Sequence, residues 1–193
     1  MSDQTMNSFL DGRVLVVAGD ITRQETDAVV NAANSTLLGG AGVDGAIHRT
    51  GGAAILAACQ EIRRSRYPEG LPTGEAVITT GGLLPARYVI HTVGPIWGQH
   101  AGREAELLAA CYRNSLALAV EHGLASVAFP AISTGAYGYP LDKAAQVSSQ
   151  AIRDFLSGAG DGETGARGTL KEVRLVFFSE SSAKMFLRHH KFE

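Results

Sequence analysis

Three segments of the 193-residue chain combine glycine with polar side chains, and each begins at the end of an apolar run that predicts a β-strand. They span residues 19–22, 31–52 and 130–140. Ligands of open α/β sheets usually bind just beyond the carboxyl ends of the strands. These three loops are therefore the candidates for chemistry.

The middle segment is the most informative of the three. Its glycines at 39, 40 and 42 precede a stretch at 43–50 that predicts a helix. Glycine lets a backbone approach a ligand closely, and the free N–H groups at a helix N-terminus favour phosphate. The segment also carries two amides, Asn31 and Asn34, and the carboxylate of Asp44.

Asp44 has two open interpretations. It interacts favourably with the dipole of the predicted helix, or it orients or deprotonates a water molecule beside a bound sugar. His48 follows one turn later and, taken alone, indicates a structural role.

The first and third segments also have two interpretations each. Asp20 accepts a hydrogen bond from a ligand amine or starts a short helix, and the sequence around Thr22 has the form of a capping box, which favours the second. The loop at 130–140 offers a second phosphate site, in which Tyr137 and Tyr139 stack on a sugar or pack beneath the loop. Two anion-binding loops flanking one crevice predict a diphosphate between two end groups, as in ADP-ribose and dinucleotides.

Several other functions are disfavoured. Residues 40–45 match the dinucleotide fingerprint in form, but no strand immediately precedes them and a basic helix end stands where the ribose-binding acid belongs. No Gly-Lys-Ser/Thr of a P-loop occurs. The net charge of −2 argues against general nucleic-acid binding, and no cysteines and histidines have zinc-site spacing. We therefore expect neither a metal nor a cofactor.

Short apolar runs alternate with helical patterns, which predicts an α/β fold with helices on both faces of a sheet. The predicted strands span 13–18, 28–31, 76–80, 88–92, 126–130 and 173–178, and the longer helices span 53–64, 103–122, 141–156 and 181–190. We predict one domain over residues 12–193, a flexible tail at 1–11 and a mobile glycine-rich loop at 158–168. Cys59 and Cys111 fall in helical stretches and indicate buried free thiols.

From about Val14 to Phe186 the chain resembles the MacroD-type macrodomains. The resemblance rests on Gly-Asp-Ile-Thr at 19–22, Asn-Ala-Ala-Asn at 31–34, Gly-Val-Asp-Gly-Ala-Ile-His at 42–48, Val-Ile-His-Thr-Val-Gly-Pro at 89–95 and Ser-Thr-Gly-Ala-Tyr-Gly-Tyr-Pro at 133–140. It implies a three-layer α/β/α sandwich with a mixed, mostly parallel central sheet and an ADP-ribose cleft across the strand ends.

The resemblance also implies a role for each site residue. Asp20, Ile21 and Phe178 hold adenine, and Asn34 and Asp44 hold the distal ribose, against which Tyr137 packs. The diphosphate lies among Gly42, Val43, Ser133, Thr134, Gly135, Ala136 and Tyr137. A glycine run that is common in the family is interrupted at Ala41, whose methyl group is placed to crowd the distal ribose. If the Ala41 backbone is open to L-residues we expect a small effect, and if it is strained we expect a shift in rate or substrate preference.

Family members with both Asn34 and Asp44 equivalents are typically hydrolases of aspartate or glutamate esters of ADP-ribose, or deacetylases of O-acetyl-ADP-ribose. The alternative is a non-catalytic ADP-ribose reader. The expected partners are ADP-ribose and ADP-ribosylated proteins, with nucleic acid only through ADP-ribosylated ends. We expect a cytoplasmic protein without membrane contact, because the chain shows neither a signal peptide pattern nor a long apolar run. We also expect a monomer.

Overall fold

The computed structural model describes residues 4–158 and 169–192. The strands of this part of the chain are β1 Gln4–Phe9, β2 Val14–Ala18, β3 Ala28–Ala33, β4 Ala76–Thr80, β5 Tyr88–Val93, β6 Ser126–Phe129 and β7 Glu172–Phe177. Its helices are α1 Gly42–Gly51, α2 Ala53–Ser65, α3 Glu104–Glu121, α4 Leu141–Ser157 and α5 Glu180–His189, with a 3₁₀ turn at Ile21–Arg23. Each strand and helix predicted from the sequence is present, with bounds that differ by at most two residues.

Within the described residues the strands form one seven-stranded sheet in the order β1-β2-β7-β6-β3-β5-β4. The five inner strands, from β2 to β5 in this order, run parallel to one another. At the two edges β1 pairs antiparallel with β2, and β4 pairs antiparallel with β5. The sheet is therefore mixed and mostly parallel, as predicted.

Alternate residues of the central strands pack against different helices. Val16, Val30 and Ile90 join the apolar cluster with α3, α4 and α5 on one face. Val17, Val29 and Val89 join the cluster with α1 and α2 on the other face. The fold is thus a three-layer α/β/α sandwich, and burial on both faces explains why these strands are continuously apolar.

The prediction of a flexible tail at residues 1–11 is wrong for Gln4–Phe9, which form β1 along the edge of β2. The phenyl ring of Phe9 also stacks on Phe192, with ring centroids 5.1 Å apart. The domain therefore begins before residue 12. The loop predicted at 158–168 lies outside the described residues except for Gly158, which caps α4 in a left-handed conformation.

Both thiols, Cys59 and Cys111, are buried and free, as predicted. The helices of the described part of the chain are all too short or too polar to cross a lipid bilayer.

Candidate functional site

A cleft of about 710 Å³ lies where β2, β3, β6 and β7 end, at the carboxyl edge of the parallel strands. All twelve predicted ligand-binding residues line it, although they come from five separate parts of the chain. They are Asp20, Ile21, Asn34, Gly42, Val43, Asp44, Ser133, Thr134, Gly135, Ala136, Tyr137 and Phe178.

The strand order fixes the order of the loops along the cleft. The loops after the neighbouring strands β2 and β7 carry Asp20 and Phe178, the loop after β6 carries residues 133–137, and the loop after β3 carries Asn34. Adjacent strands lie roughly 4.8 Å apart, so the site spans about 14 Å from β2 to β3. This arrangement suits an elongated ligand with a central group between two ends.

The N-terminus of α1 opens into this cleft. Its N-cap residue, Ala41, makes no side-chain capping hydrogen bond and has an extended backbone (φ −97°, ψ −179°) that any L-residue adopts. Gly42 has φ +59°, a left-handed conformation that favours glycine. The first-turn N–H groups are therefore not capped by a side chain, and the proposed strain at Ala41 is absent.

Asp20 starts a short helical turn, one of the two roles that the sequence allowed, and it also lines the cleft. Its Oδ1 accepts hydrogen bonds from Thr22 N (2.9 Å) and Thr22 Oγ1 (2.7 Å), which caps the 3₁₀ turn. The capping residue is therefore Asp20 and not Thr22, the residue that the capping-box pattern predicts. Oδ2 is left for a ligand, since its nearest ion-pair partner is Arg23 Nε at 3.9 Å.

The loop after β6 is held in an unusual backbone conformation. Ser133 has φ +65°, which non-glycine residues rarely adopt, and its buried hydroxyl has no hydrogen-bond partner. Gly94 makes room for this side chain, because a Cβ on Gly94 would lie 2.1 Å from Ser133 Oγ. The Trp97 N–H donates to Tyr137 O (2.9 Å) and braces the far end of the loop. Such local strain is typical of binding sites.

Asp44 and Asn34 meet around Gly40. A Cβ on Gly40 would lie 2.9 Å from Asp44 Oδ2 and 3.2 Å from Asn34 Nδ2. Asp44 is only 4% exposed, and its Oδ1 accepts a hydrogen bond from Asn31 Nδ2 at 2.7 Å. Asn34 Nδ2 donates to Gly39 O (3.1 Å). The other oxygen of Asp44 is thus left beside the Asn34 amide.

The two aromatic residues predicted to touch the ligand differ in their surroundings. Burial raises the pKa of the Tyr137 phenol, and the negative charge of Asp44 raises it further. Phe178 is 77% exposed directly after β7. An exposed phenyl ring at a cleft is available for stacking on a planar ligand.

The sequence did not predict Arg49 as a site residue, and it offered the Asn31 amide without a specific role. Arg49 lines the cleft and brings a positive charge to it, and Asn31 lies beneath the cleft and holds Asp44. The spacing of Arg49, one helical turn after Gly45, was the available signal. His48 Nε2 lies 3.4 Å from Asp44 Oδ1, and His48 is not among the cleft-lining residues.

Among the described residues, His48, Cys59 and His91 place potential metal-ligand atoms within 4.8 Å of one another. Both ring nitrogens of His91 already lie near other groups, Asn31 Nδ2 at 3.1 Å and Thr79 Oγ1 at 2.8 Å. Burial and the Asp44 charge raise the pKa of the Cys59 thiol to about 12. These contacts favour a hydrogen-bonded core cluster over a metal site.

Residues 30–148 match the family model described as Macro domain. The chain is also 53% identical over 175 residues to a macro domain-containing protein of Streptomyces nogalater, covering 91% of this chain and 90% of the relative. This chain belongs to the Macro domain family. The assignment agrees with the fold and with the position of the cleft.

Solved macrodomains superpose closely on this one. The Oceanobacillus iheyensis macrodomain with ADP is 44% identical, with a TM-score of 0.85 over 97% of this chain and 94% of that chain. The Trypanosoma brucei macrodomain in complex with ADP-ribose is 40% identical, with a TM-score of 0.79 over 92% of this chain and 68% of that chain.

Proposed function

We propose that this macro domain binds ADP-ribose in the cleft and hydrolyses ester bonds made to its distal ribose. The substrates are mono-ADP-ribose esters of aspartate and glutamate side chains and O-acetyl-ADP-ribose. The observation that carries the proposal is the buried Asp44 carboxylate beside the Asn34 amide in a cleft that also holds an uncapped helix N-terminus.

The order of loops matches the parts of ADP-ribose. The adenine amine donates to Asp20 while Phe178 stacks on the ring. The diphosphate lies between the N–H groups at the start of α1 and those of residues 133–137, where helix and loop dipoles favour negative charge. This orientation leaves the distal ribose beside Asn34 and Asp44, with Tyr137 packed against it.

In the reaction, water attacks the ester carbonyl and the acyl C–O bond breaks, or water attacks the anomeric carbon and displaces the carboxylate; in both cases the products are a free hydroxyl of ADP-ribose and a carboxylic acid. Asn34 holds a ribose hydroxyl through its amide. Asp44 orients the water through Oδ2, because Oδ1 is occupied by Asn31. Two bases are within the proposed complex, Asp44 itself and the ligand diphosphate, and either takes the proton of the water.

Neutralising Asp44 tests this role. Asp44→Asn keeps an oxygen that accepts from Asn31 but removes the negative charge, so we expect release of ADP-ribose from a glutamate-linked protein to fall roughly 100-fold or more. Binding of free ADP-ribose, measured by calorimetry, should change only a few-fold. Asp11→Asn, at an exposed acid in the turn between β1 and β2, is the matched control and should retain the wild-type rate.

Wild-type rates in a still-folded Asp44→Asn would contradict the catalytic assignment. Tight binding of ADP-ribose without release by the wild type would instead indicate a reader of ADP-ribosylation. The same assay with O-acetyl-ADP-ribose and with an ADP-ribosylated nucleic-acid end separates the three substrate classes that share this handle.

A further inference from the structure

A chain of buried polar side chains runs from Asp44 into the core between the sheet and α2. Asp44, Asn31, His91 and Thr79 are respectively 4%, 0%, 0% and 6% exposed. Asn31 Nδ2 lies 2.7 Å from Asp44 Oδ1 and 3.1 Å from His91 Nδ1, and His91 Nε2 lies 2.8 Å from Thr79 Oγ1. Burying a polar side chain costs free energy unless it is hydrogen-bonded. A hydrogen-bonded set of four such side chains that ends at Asp44 in the cleft therefore points to a role in the site.

The contacts leave one consistent placement of the hydrogens. A carboxylate only accepts, so Asn31 must present its Nδ2 group to Asp44, and the second hydrogen of that group points to His91 Nδ1. Nδ1 must then be the unprotonated nitrogen, and Nε2–H donates to Thr79 Oγ1 at 2.8 Å, with Cys59 Sγ as a longer contact of the same nitrogen at 3.7 Å. The Thr79 hydroxyl in turn donates to Thr80 O at 3.1 Å.

The imidazole of His91 is neutral in this arrangement. Burial, together with the neighbouring His48, lowers the pKa of His91 to about 3. A second ring proton on Nδ1 would also face an N–H of Asn31. His91 therefore acts as a fixed acceptor at Nδ1 and a fixed donor at Nε2 near neutral pH.

We propose that His91 and Thr79 are positioning residues that fix the Asn31 amide and, through it, the rotamer of the Asp44 carboxylate. This inference rests on the proposed function, because it assigns a purpose to the orientation of Asp44. With Oδ1 held by Asn31, Oδ2 is directed to the side of the carboxylate on which Gly40 and Asn34 lie. Outer residues that orient a reacting group in this way are a recurrent feature of enzyme sites.

The first test changes Thr79, the member of this hydrogen-bonded series that lies farthest from the cleft. Thr79→Val preserves the shape and strand preference of the side chain but removes the oxygen that accepts from His91 Nε2–H. The imidazole is then free to shift its proton to Nδ1, and Asn31 loses its second acceptor. We expect kcat for ADP-ribose release to fall roughly ten-fold or more, since small misplacements of a reacting group are costly. KM and the Kd for free ADP-ribose should stay within about two-fold, because Thr79 does not line the cleft.

The matched control is Thr79→Ser, which keeps the hydroxyl and should retain the wild-type kcat. A loss caused only by a weakened core would follow stability, so the free energy of unfolding of both variants is measured alongside. An unchanged kcat in a folded Thr79→Val, or an equal loss in both variants, would overturn the inference.

A second pair of variants tests the acceptor that faces Asn31. The side-chain amide in His91→Asn falls near the position of Nδ1 and accepts from Asn31, whereas that in His91→Gln falls near Nε2 and does not. We expect His91→Asn to retain clearly more activity than His91→Gln at similar stability. The reverse order would contradict the proposed chain.

The ring protonation gives a readout that does not depend on catalysis. Nitrogen NMR of the wild type should show His91 as the Nε2–H tautomer, and Thr79→Val should lose that single state. An Nδ1–H tautomer in the wild type would overturn the inference. Failure of the proposed function is distinguished by the wild type itself, which would then release no ADP-ribose, whereas an active wild type with an equally active Thr79→Val rejects only the positioning role.

Discussion

At the level of single residues, Gly40 determines how closely the two side chains of the proposed reaction approach. Its backbone is in a conformation open to any L-residue, so a substitution there acts through the added side chain alone. The new methyl group of Gly40→Ala would lie 2.9 Å from Asp44 Oδ2 and 3.2 Å from Asn34 Nδ2. We expect the rate of ADP-ribose release to fall roughly ten- to a hundred-fold, because the carboxylate must move or lose its water. Steady-state kinetics with both ester substrates measure this effect.

The neighbouring residue supplies the control for Gly40. Ala41 interrupts a glycine run, and the sequence left open whether its backbone is strained; its extended backbone carries no strain. Ala41→Gly should therefore leave the rate within about two-fold of wild type, because it removes one methyl group and keeps the backbone N–H groups at the start of α1. A large gain in Ala41→Gly, or no loss in Gly40→Ala, would contradict the role assigned to the space between Asp44 and Asn34.

At the level of elements, Asp27 ties the beginnings of three parallel strands together. Its Oδ2 accepts from the backbone N–H groups of Ala125 (2.7 Å) and Ser126 (3.1 Å) beside β6, and its Oδ1 accepts from Arg87 (2.8 Å) before β5. Partial burial by itself raises the pKa of Asp27, but the hydrogen bonds and the Arg87 charge outweigh it and hold the pKa below its ordinary value. The folded state therefore gains stability from the ionised form.

The sign of the pH dependence follows from this lowered pKa. The contribution is fully present above the unfolded pKa of about 3.9 and is lost as the pH falls through the lower folded value. We expect Asp27→Asn to lower the free energy of unfolding by ~2 kcal/mol at pH 7, with a shrinking difference below pH ~4. Urea unfolding across pH 3–7 measures it, with Glu61→Gln as an exposed ion-pair control. A difference that grows towards low pH would contradict the assignment.

The elements also show which signals the sequence carries. The strands β2 and β5 are buried on both faces, so their apolar runs predicted them, and the glycine-rich approach to α1 predicted a phosphate-type helix start. β1 was missed because its residues are mostly exposed and its pairing with β2 relies on backbone hydrogen bonds, which no side-chain pattern records. The contact of Asn31 with His91 was likewise hidden, since the two residues lie 60 positions apart and meet only through the pairing of β3 with β5.

At the level of the whole molecule, the sheet converts distant segments into one ordered site. The strand order places the Asp20 and Phe178 loops beside each other, residues 133–137 next, and Asn34 with Asp44 on the far side. Because the net charge is −2, the proposed attraction for a diphosphate relies on local N–H groups and on Arg49 and not on the overall charge.

A crystal structure of the wild-type protein with ADP-ribose tests this account most directly. We expect that structure to place the adenine amine on Asp20 Oδ2 beside Phe178 and the diphosphate between the start of α1 and residues 133–137. We expect the distal ribose beside Asn34, with a water on Asp44 Oδ2. A ligand bound in the reverse direction, or with its distal ribose out of reach of Asp44, would contradict both the binding mode and the proposed hydrolysis.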